Sequence, residues 1–320
     1  MSSVRVPYRE SVTRDSVSRQ AEKRFFPTFR LTDLPTEVVA RRPVAWPPVS
    51  AVIGISILAM LVVVTLLGPA LWQVDPEAQD LANRLTPPWG LGGTRAHPLG
   101  TDTLGRDTMA RLMAGARVSL PLSVAATLAS GAIGITLGVL AGYRGGWIDR
   151  AVTWLSDVQL AIPFVVFAIA VTAVFGNSVG NVLVTLIVTG WVAYARVMRL
   201  QARSLCAAEW VLAAKAVGAT PARVLARHLL PNLMAPAVVL ATQQAGAMIL
   251  YESSLSFLGL GIGGSTVTWG GMAALGREAI FKAPWVAAIP GIAIALAILG
   301  FNLTGDWLAT RGRRQEWLEG

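Results

Sequence analysis

The sequence predicts an all-α membrane protein with six spanning helices. Three observations carry this. The 320 residues are 54% hydrophobic and only 14% charged, against about 25% charged in soluble chains. The apolar residues fall in long runs: residues 49–71 and 118–142 hold no charge at all, and a helix needs roughly 20 residues to cross ~30 Å of hydrocarbon. The basic residues are sorted as well. With both termini inside, cytoplasmic segments hold 20 of the 27 Lys and Arg, and outer segments hold seven: Arg84, Arg95, Arg106, Arg111, Arg117, Arg277 and Lys282. That asymmetry follows the positive-inside rule. It gives the net charge of +9 a membrane explanation in place of a nucleic-acid one.

Residues 1–48 are basic, polar and punctuated by Pro35, Pro43, Pro47 and Pro48. They lack a sustained apolar period and read as a flexible cytoplasmic extension. They are too long and too charged for the leading region of a signal peptide, so the first span, residues 49–72, reads as an uncleaved anchor. Residues 73–116 form the longest outer segment, where Pro76, Pro87, Pro88 and the glycines at 90–93 exclude a long helix. Asp102 or Thr103 is placed to cap a short helix running into the second span. The helical core covers residues 117–309, with further spans at 158–175, 179–195, 233–250 and 285–303. Residues 310–320 are a short basic tail. Pro121, Pro163, Pro236 and Pro290 lie within spans, where proline is better tolerated than in soluble helices. The single cysteine, Cys206, excludes an internal disulfide and reads as a packing residue on the reducing side.

The most unusual segment is the cytoplasmic loop at 203–231, and within it EWVLAAKAVGATPARVLARHLLP, residues 209–231. Ala213, Ala214, Lys215 and Ala216 are strong helix formers. Gly218 suits a helix stop, and Thr220-Pro221 suits a restart with Thr as N-cap and Pro in the first turn. Pro231 marks the entry to the fifth span. Small residues at Ala213, Ala214 and Gly218 admit a close partner surface, whereas Leu205, Val211 and Leu212 suit a helix resting on lipid. The residues alone leave both readings open.

Ionisable and amide groups at membrane depth are the next candidates. Asp157 is near an interface, within reach of pairing with Arg150 or Arg196. Glu252 falls at the outer end of the fifth span. Gln243 and Gln244 lie within that span and must face protein or water, as substrate-pathway groups or as helix–helix hydrogen-bond partners. His97 and His228 lie on opposite sides of the membrane, so no metal cluster or Ser/His/Asp arrangement is predicted.

The 209–231 segment resembles the EAA loop of permease subunits in bacterial ABC importers. Ala213-Ala214, Gly218 and Leu230-Pro231 fall at that spacing, with Leu212 and His228 where the general pattern has Glu and Ile. Glu209-Trp210-Val211, Ala213-Ala214-Lys215 and Gly218-Ala219 follow the form common in its peptide-importer branch. HPLGTDTLGRD (97–107), DVQLAIPF (157–164), ESSLSFLGLG (252–261) and FNLTGDWL (301–308) also match the C-type permease of dipeptide, oligopeptide and nickel importers, so the resemblance covers about residues 90–310.

The resemblance implies the six-helix type I permease fold in a bacterial plasma (inner) membrane, with both termini cytoplasmic. Glu209, Trp210, Ala213, Ala214, Lys215, Gly218, Ala219 and Arg223 would form a coupling helix docked on a cytoplasmic ATPase subunit. Asp102, Arg106 and Asp107 of the outer loop would meet an extracytoplasmic substrate-binding protein. The implied partners are a related B-type permease, two ATPase subunits, that binding protein and a peptide substrate. No GxxxxGK[ST] sequence occurs, so ATP and Mg2+ would bind the partner ATPases and this chain would hold no cofactor and catalyse nothing. Nickel or haem is the alternative cargo for the same permease type. A secondary transporter would show inverted repeats and paired intramembrane charges, and a membrane hydrolase would show a convergent nucleophile and base; neither pattern is present.

Overall fold

The structure, a computed structural model, describes residues 48–319, with side chains through Arg311. The extension at 1–48 therefore lies almost wholly outside the described residues. Among the described residues nine α-helical elements follow in order: α1 Val49–Leu71, α2 Thr108–Arg144, α3 Gly146–Ala161, α4 Phe164–Phe175, α5 Val179–Cys206, α6 Glu209–Ala216, α7 Pro221–Phe257, α8 Trp269–Gly276 and α9 Trp285–Glu319. Among the described residues α1, α2, α5, α7 and α9 are each long and apolar enough to cross a membrane. A sixth span arises only if α3 and α4 count as one.

The third span, read over 158–175 with a kink-prone Ile162-Pro163, is a sharp corner between two helices. Helix α3 starts earlier, at Gly146, and meets α4 at a bend of 85°. Pro163 is the cause. It has no N–H and disfavours helical backbone at the preceding residue, and Ile162 is extended, with φ −93° and ψ 116°.

Helix α2 is the central pillar and packs most closely on α5. Gly134, Gly138 and Gly142 repeat every fourth residue along the contact. An added Cβ at Gly138 or Gly142 would stand 2.5 Å from the carbonyl oxygens of Ala195 and Arg199. Without a driving force from water, such helices associate through close backbone contact, which small residues permit. Helix α9 packs against α1 and α7, and the short α8 wedges among α2, α7 and α9. Trp269, at the start of α8, is buried; its Nε1–H donates to Leu112 O at 2.9 Å.

Pro69 in α1 leaves the carbonyl of Thr65 without its usual i+4 donor. The Arg117 side chain, from α2, supplies one: Nε–H donates to Thr65 O at 2.8 Å and Nη2–H to Leu66 O at 3.0 Å. A helix irregularity is thus satisfied from a neighbouring helix, as membrane interiors require.

Candidate functional site

Helix α6 is brief, but its end is fully specified. Gly218 has φ +92°. Its N–H donates to Lys215 O at 3.0 Å, and the Ala219 N–H donates to Ala214 O at 3.0 Å. This pair of bonds is the Schellman termination, which needs a left-handed residue after the helix. Nothing lies within 4 Å of a Cβ built at Gly218, so the requirement is conformational, not steric. The chain restarts at Thr220, whose Oγ1 accepts from Arg223 N at 3.4 Å, with Pro221 in the first turn. The helix–glycine–helix reading therefore describes this segment.

The boundary read at Pro231 does not exist as a break. Helix α7 runs from Pro221 through Phe257. A π turn over Val224–Leu229 absorbs the irregularity before Pro231. The Asn232 side-chain amide donates to His228 O at 2.6 Å, filling a carbonyl on the disturbed stretch.

One residue anchors α6 to the bundle. Val211 is fully buried, packed with Val139, Met198, Ala202, Val224, Leu229 and Leu233. The Lys215 ammonium lies 5.5 Å from the Tyr143 ring centroid and the Trp210 and His228 rings are 5.8 Å apart, tying the loop to α2 and α7. Ala214 and Ala219 are half-buried at the turn, whereas Glu209, Ala213, Ala216, Gly218 and Arg223 are exposed. The outward face also carries apolar bulk: Trp210 is 43% exposed, Leu212 51% and Val217 90%.

The outer segment is built differently. Asp102 accepts from the backbone N–H of Leu104 at 2.9 Å and of Arg106 at 3.0 Å, and from Arg106 Nε–H at 2.7 Å. Arg111 Nη1–H donates to Glu77 at 2.7 Å and to Pro76 O at 3.1 Å. Asp107 caps α2 by accepting from Ala110 N at 2.7 Å; it also accepts from Trp72 Nε1–H at 3.2 Å and pairs with His97 Nδ1 at 2.8 Å. Asp102, Arg106, Asp107 and Arg111 are all buried. The helix begins at Thr108, capped by Asp107, in place of the start read at Asp102 or Thr103. What the segment exposes is a ridge with Leu81, Trp89 and Leu91, where Arg95 stacks 5.1 Å from the Trp89 ring. At its edge the Asn83 amide and neighbouring backbone N–H groups hold the Asp80 carboxyl below the usual carboxylate range.

The membrane-depth candidates separate. Asp157 pairs with Arg196 at 2.5 Å, both partly exposed, and the adjacent Asp149 pairs with Arg199 between the same two helices. Glu252 is fully buried, accepting from Ser256 at 2.9 Å and Ser253 at 3.4 Å. Gln243 is exposed on α7 and Gln244 half-buried, and neither side chain has a hydrogen-bond partner among the described residues. The sequence reading passed over Gln159. Its amide accepts from Trp191 Nε1–H at 2.7 Å and donates to the Val188 carbonyl, joining α3 to α5. A lone glutamine two residues after Asp157 carries no sequence signal for that bridge.

A bundle of long apolar helices with a short helix held outward between two of them has the architecture of a multi-span membrane subunit, and sequence comparison gives its family. Residues 134–314 match the binding-protein-dependent transport system inner membrane component, and residues 50–88 match the N-terminal TM domain of oligopeptide transport permease C. The chain belongs to this family and is a C-type permease subunit of an ABC importer. It is 36% identical to the dipeptide transport system permease protein DppC of Alkalihalophilus pseudofirmus, over 81% of this chain and 83% of that one. It is 33% identical to the oligopeptide transport system permease protein OppC of Bacillus subtilis, over 81% and 83%. The nickel transport system permease protein NikC of Escherichia coli K12 is 36% identical over 80% and 91%. A solved inward-facing MetNI methionine ABC transporter chain superposes with a TM-score of 0.54 at 20% identity, over 64% of this chain and 97% of that one, and supports the fold.

Proposed function

We propose that this chain forms half of the translocation pathway of an ATP-driven importer of dipeptides or short oligopeptides. A paralogous B-type permease supplies the other half. Two cytoplasmic ATPases bind ATP and Mg2+ and do the hydrolysis; this subunit is non-catalytic. The observation that carries the reading is α6, a short helix pinned by Val211 and ended by Gly218, with Glu209, Leu212, Ala213 and Val217 turned outward. A rigid helix seated in a groove passes rigid-body motion of the ATPase pair into tilting of the spans attached to it, which is alternating access. Lys215 serves from the bundle side, through Tyr143, and Glu209 and Arg223 fix register at the rim. With α6 in the cytoplasm, both termini are cytoplasmic too. On the outside, the exposed ridge around Trp89 and Leu91 meets the binding protein, while Asp102, Arg106 and Asp107 hold that ridge in shape.

Peptide cargo is favoured over nickel by the match of residues 50–88 to the oligopeptide permease model. The test is uptake by the complete reconstituted assembly of both permeases, the ATPases and the binding protein. Wild type imports labelled dipeptide with ATP, and Glu209→Lys lowers peptide-stimulated ATPase activity several-fold while inserting normally. Import of nickel without peptide import overturns the cargo reading, and unchanged stimulation in the variant overturns the coupling reading.

A further inference from the structure

The corner between α3 and α4, bent by 85°, interrupts helical bonding within an apolar stretch. The Ile162 N–H turns back to Gln159 O at 3.2 Å, and the first backbone bond into α4 is Phe167 N–H to Pro163 O at 3.1 Å. The N–H groups of Phe164, Val165 and Val166 and the carbonyls of Leu160 and Ala161 have no backbone partner among the described residues. Thr189, opposite the corner, lies about 15 Å along α5 from Val179, so the break sits near the middle of a ~30 Å layer. Unpaired backbone at that depth is tolerated where it is buried in protein or lines a water-filled cavity.

A cavity of about 380 Å³ lies elsewhere, on the outer part of α7, but it is a shallow apolar groove. The cavity at the corner, about 370 Å³, is more enclosed and brings together the Gln159 amide, the Thr189 and Tyr251 hydroxyls and the Phe164 and Phe167 rings. Its size falls within the ~300–1,000 Å³ of small-ligand sites. The Phe164 and Tyr251 rings stand 4.7 Å apart at 36°. Gln159 is fixed by its bonds to Trp191 and Val188, and the Tyr251 hydroxyl has no partner among the described residues. Gln243, Ala247 and Tyr251 follow at i, i+4 and i+8 on one face of α7, about 12 Å from first to last. The exposed, unpartnered amide of Gln243 thus leads along that face to the cavity.

We propose that this corner is a cargo subsite. A short peptide moving along α7 lays an aromatic or large apolar side chain against Phe164 and Tyr251. Its amide groups meet the unpaired backbone N–H and C=O groups of the broken helix. The proposal rests on the peptide reading given above and adds a preference for bulky side chains that is set by the permease.

The test is uptake of labelled diphenylalanine and dialanine by the complete reconstituted assembly, with Tyr251→Ala, Tyr251→Phe and Phe164→Leu. Tyr251→Ala raises KM for diphenylalanine about tenfold, an aromatic contact being worth roughly 1 kcal/mol or more, and changes dialanine uptake less than twofold. Tyr251→Phe, which keeps the ring, stays near wild type for both. If Tyr251→Ala fails to assemble, Phe164→Leu, which keeps most of the volume, decides: selective loss for diphenylalanine supports the subsite. Equal loss for both peptides, or no loss for either, overturns it. A wild-type assembly that moves neither peptide overturns the peptide reading itself, and the subsite with it.

Discussion

The two non-spanning regions are held in opposite ways. In the loop at 73–116 and the start of α2 four charged residues are inside: Asp102, Arg106, Asp107 and Arg111 are buried and bonded to one another, to Glu77 or to backbone. In the loop at 203–231 the anchor is apolar, Val211, and the charges Glu209 and Arg223 are outside. Motif residues are therefore of two kinds. Those of the HPLGTDTLGRD stretch build a shape, and the charged ones of α6 and the turn after it are presented.

The comparison breaks most readily at Asp102. Asp102→Ala leaves Arg106 buried without its closest carboxylate, and removing one partner of a buried pair costs about 3–5 kcal/mol. The expected outcome is loss of folded protein in detergent, read by size-exclusion profile and thermal unfolding. A variant of wild-type stability would show that the loop network is solvated. Gly218→Val comes next. A β-branched residue held at φ +92° costs about 1–3 kcal/mol of strain, so the Schellman turn opens while the spans hold. The half-buried Cys206, the single cysteine, packs against the cluster around Val211 and reports this opening: its maleimide labelling rises several-fold, with membrane insertion unchanged. Glu209→Lys is the smallest in stability, within roughly 0.5 kcal/mol as an exposed change, and its effect is confined to coupling.

The long spans are legible because each apolar run must be long enough to cross hydrocarbon. The turn at Gly218 is legible because helix formers, a glycine and a Thr-Pro pair follow one another in order. The 85° bend at Ile162-Pro163 is not, since proline marks a weak point in a span without fixing whether the helix kinks or breaks. Nor is the burial of Asp102 and Arg106. The sequence displays their charge, while the fold of some thirty loop residues decides whether that charge faces water. Glu252 and Tyr251 make the same point as chain neighbours, one sealed among serines and the other open to a cavity.

The docking role proposed for α6 requires its outward face to meet a protein and not lipid. The direct measurement places a photo-crosslinker at Val217→Cys in a Cys206→Ser background and illuminates the assembled transporter in its membrane. The adduct is expected to join this chain to an ATPase subunit. Adducts with phospholipid alone would contradict the docking role.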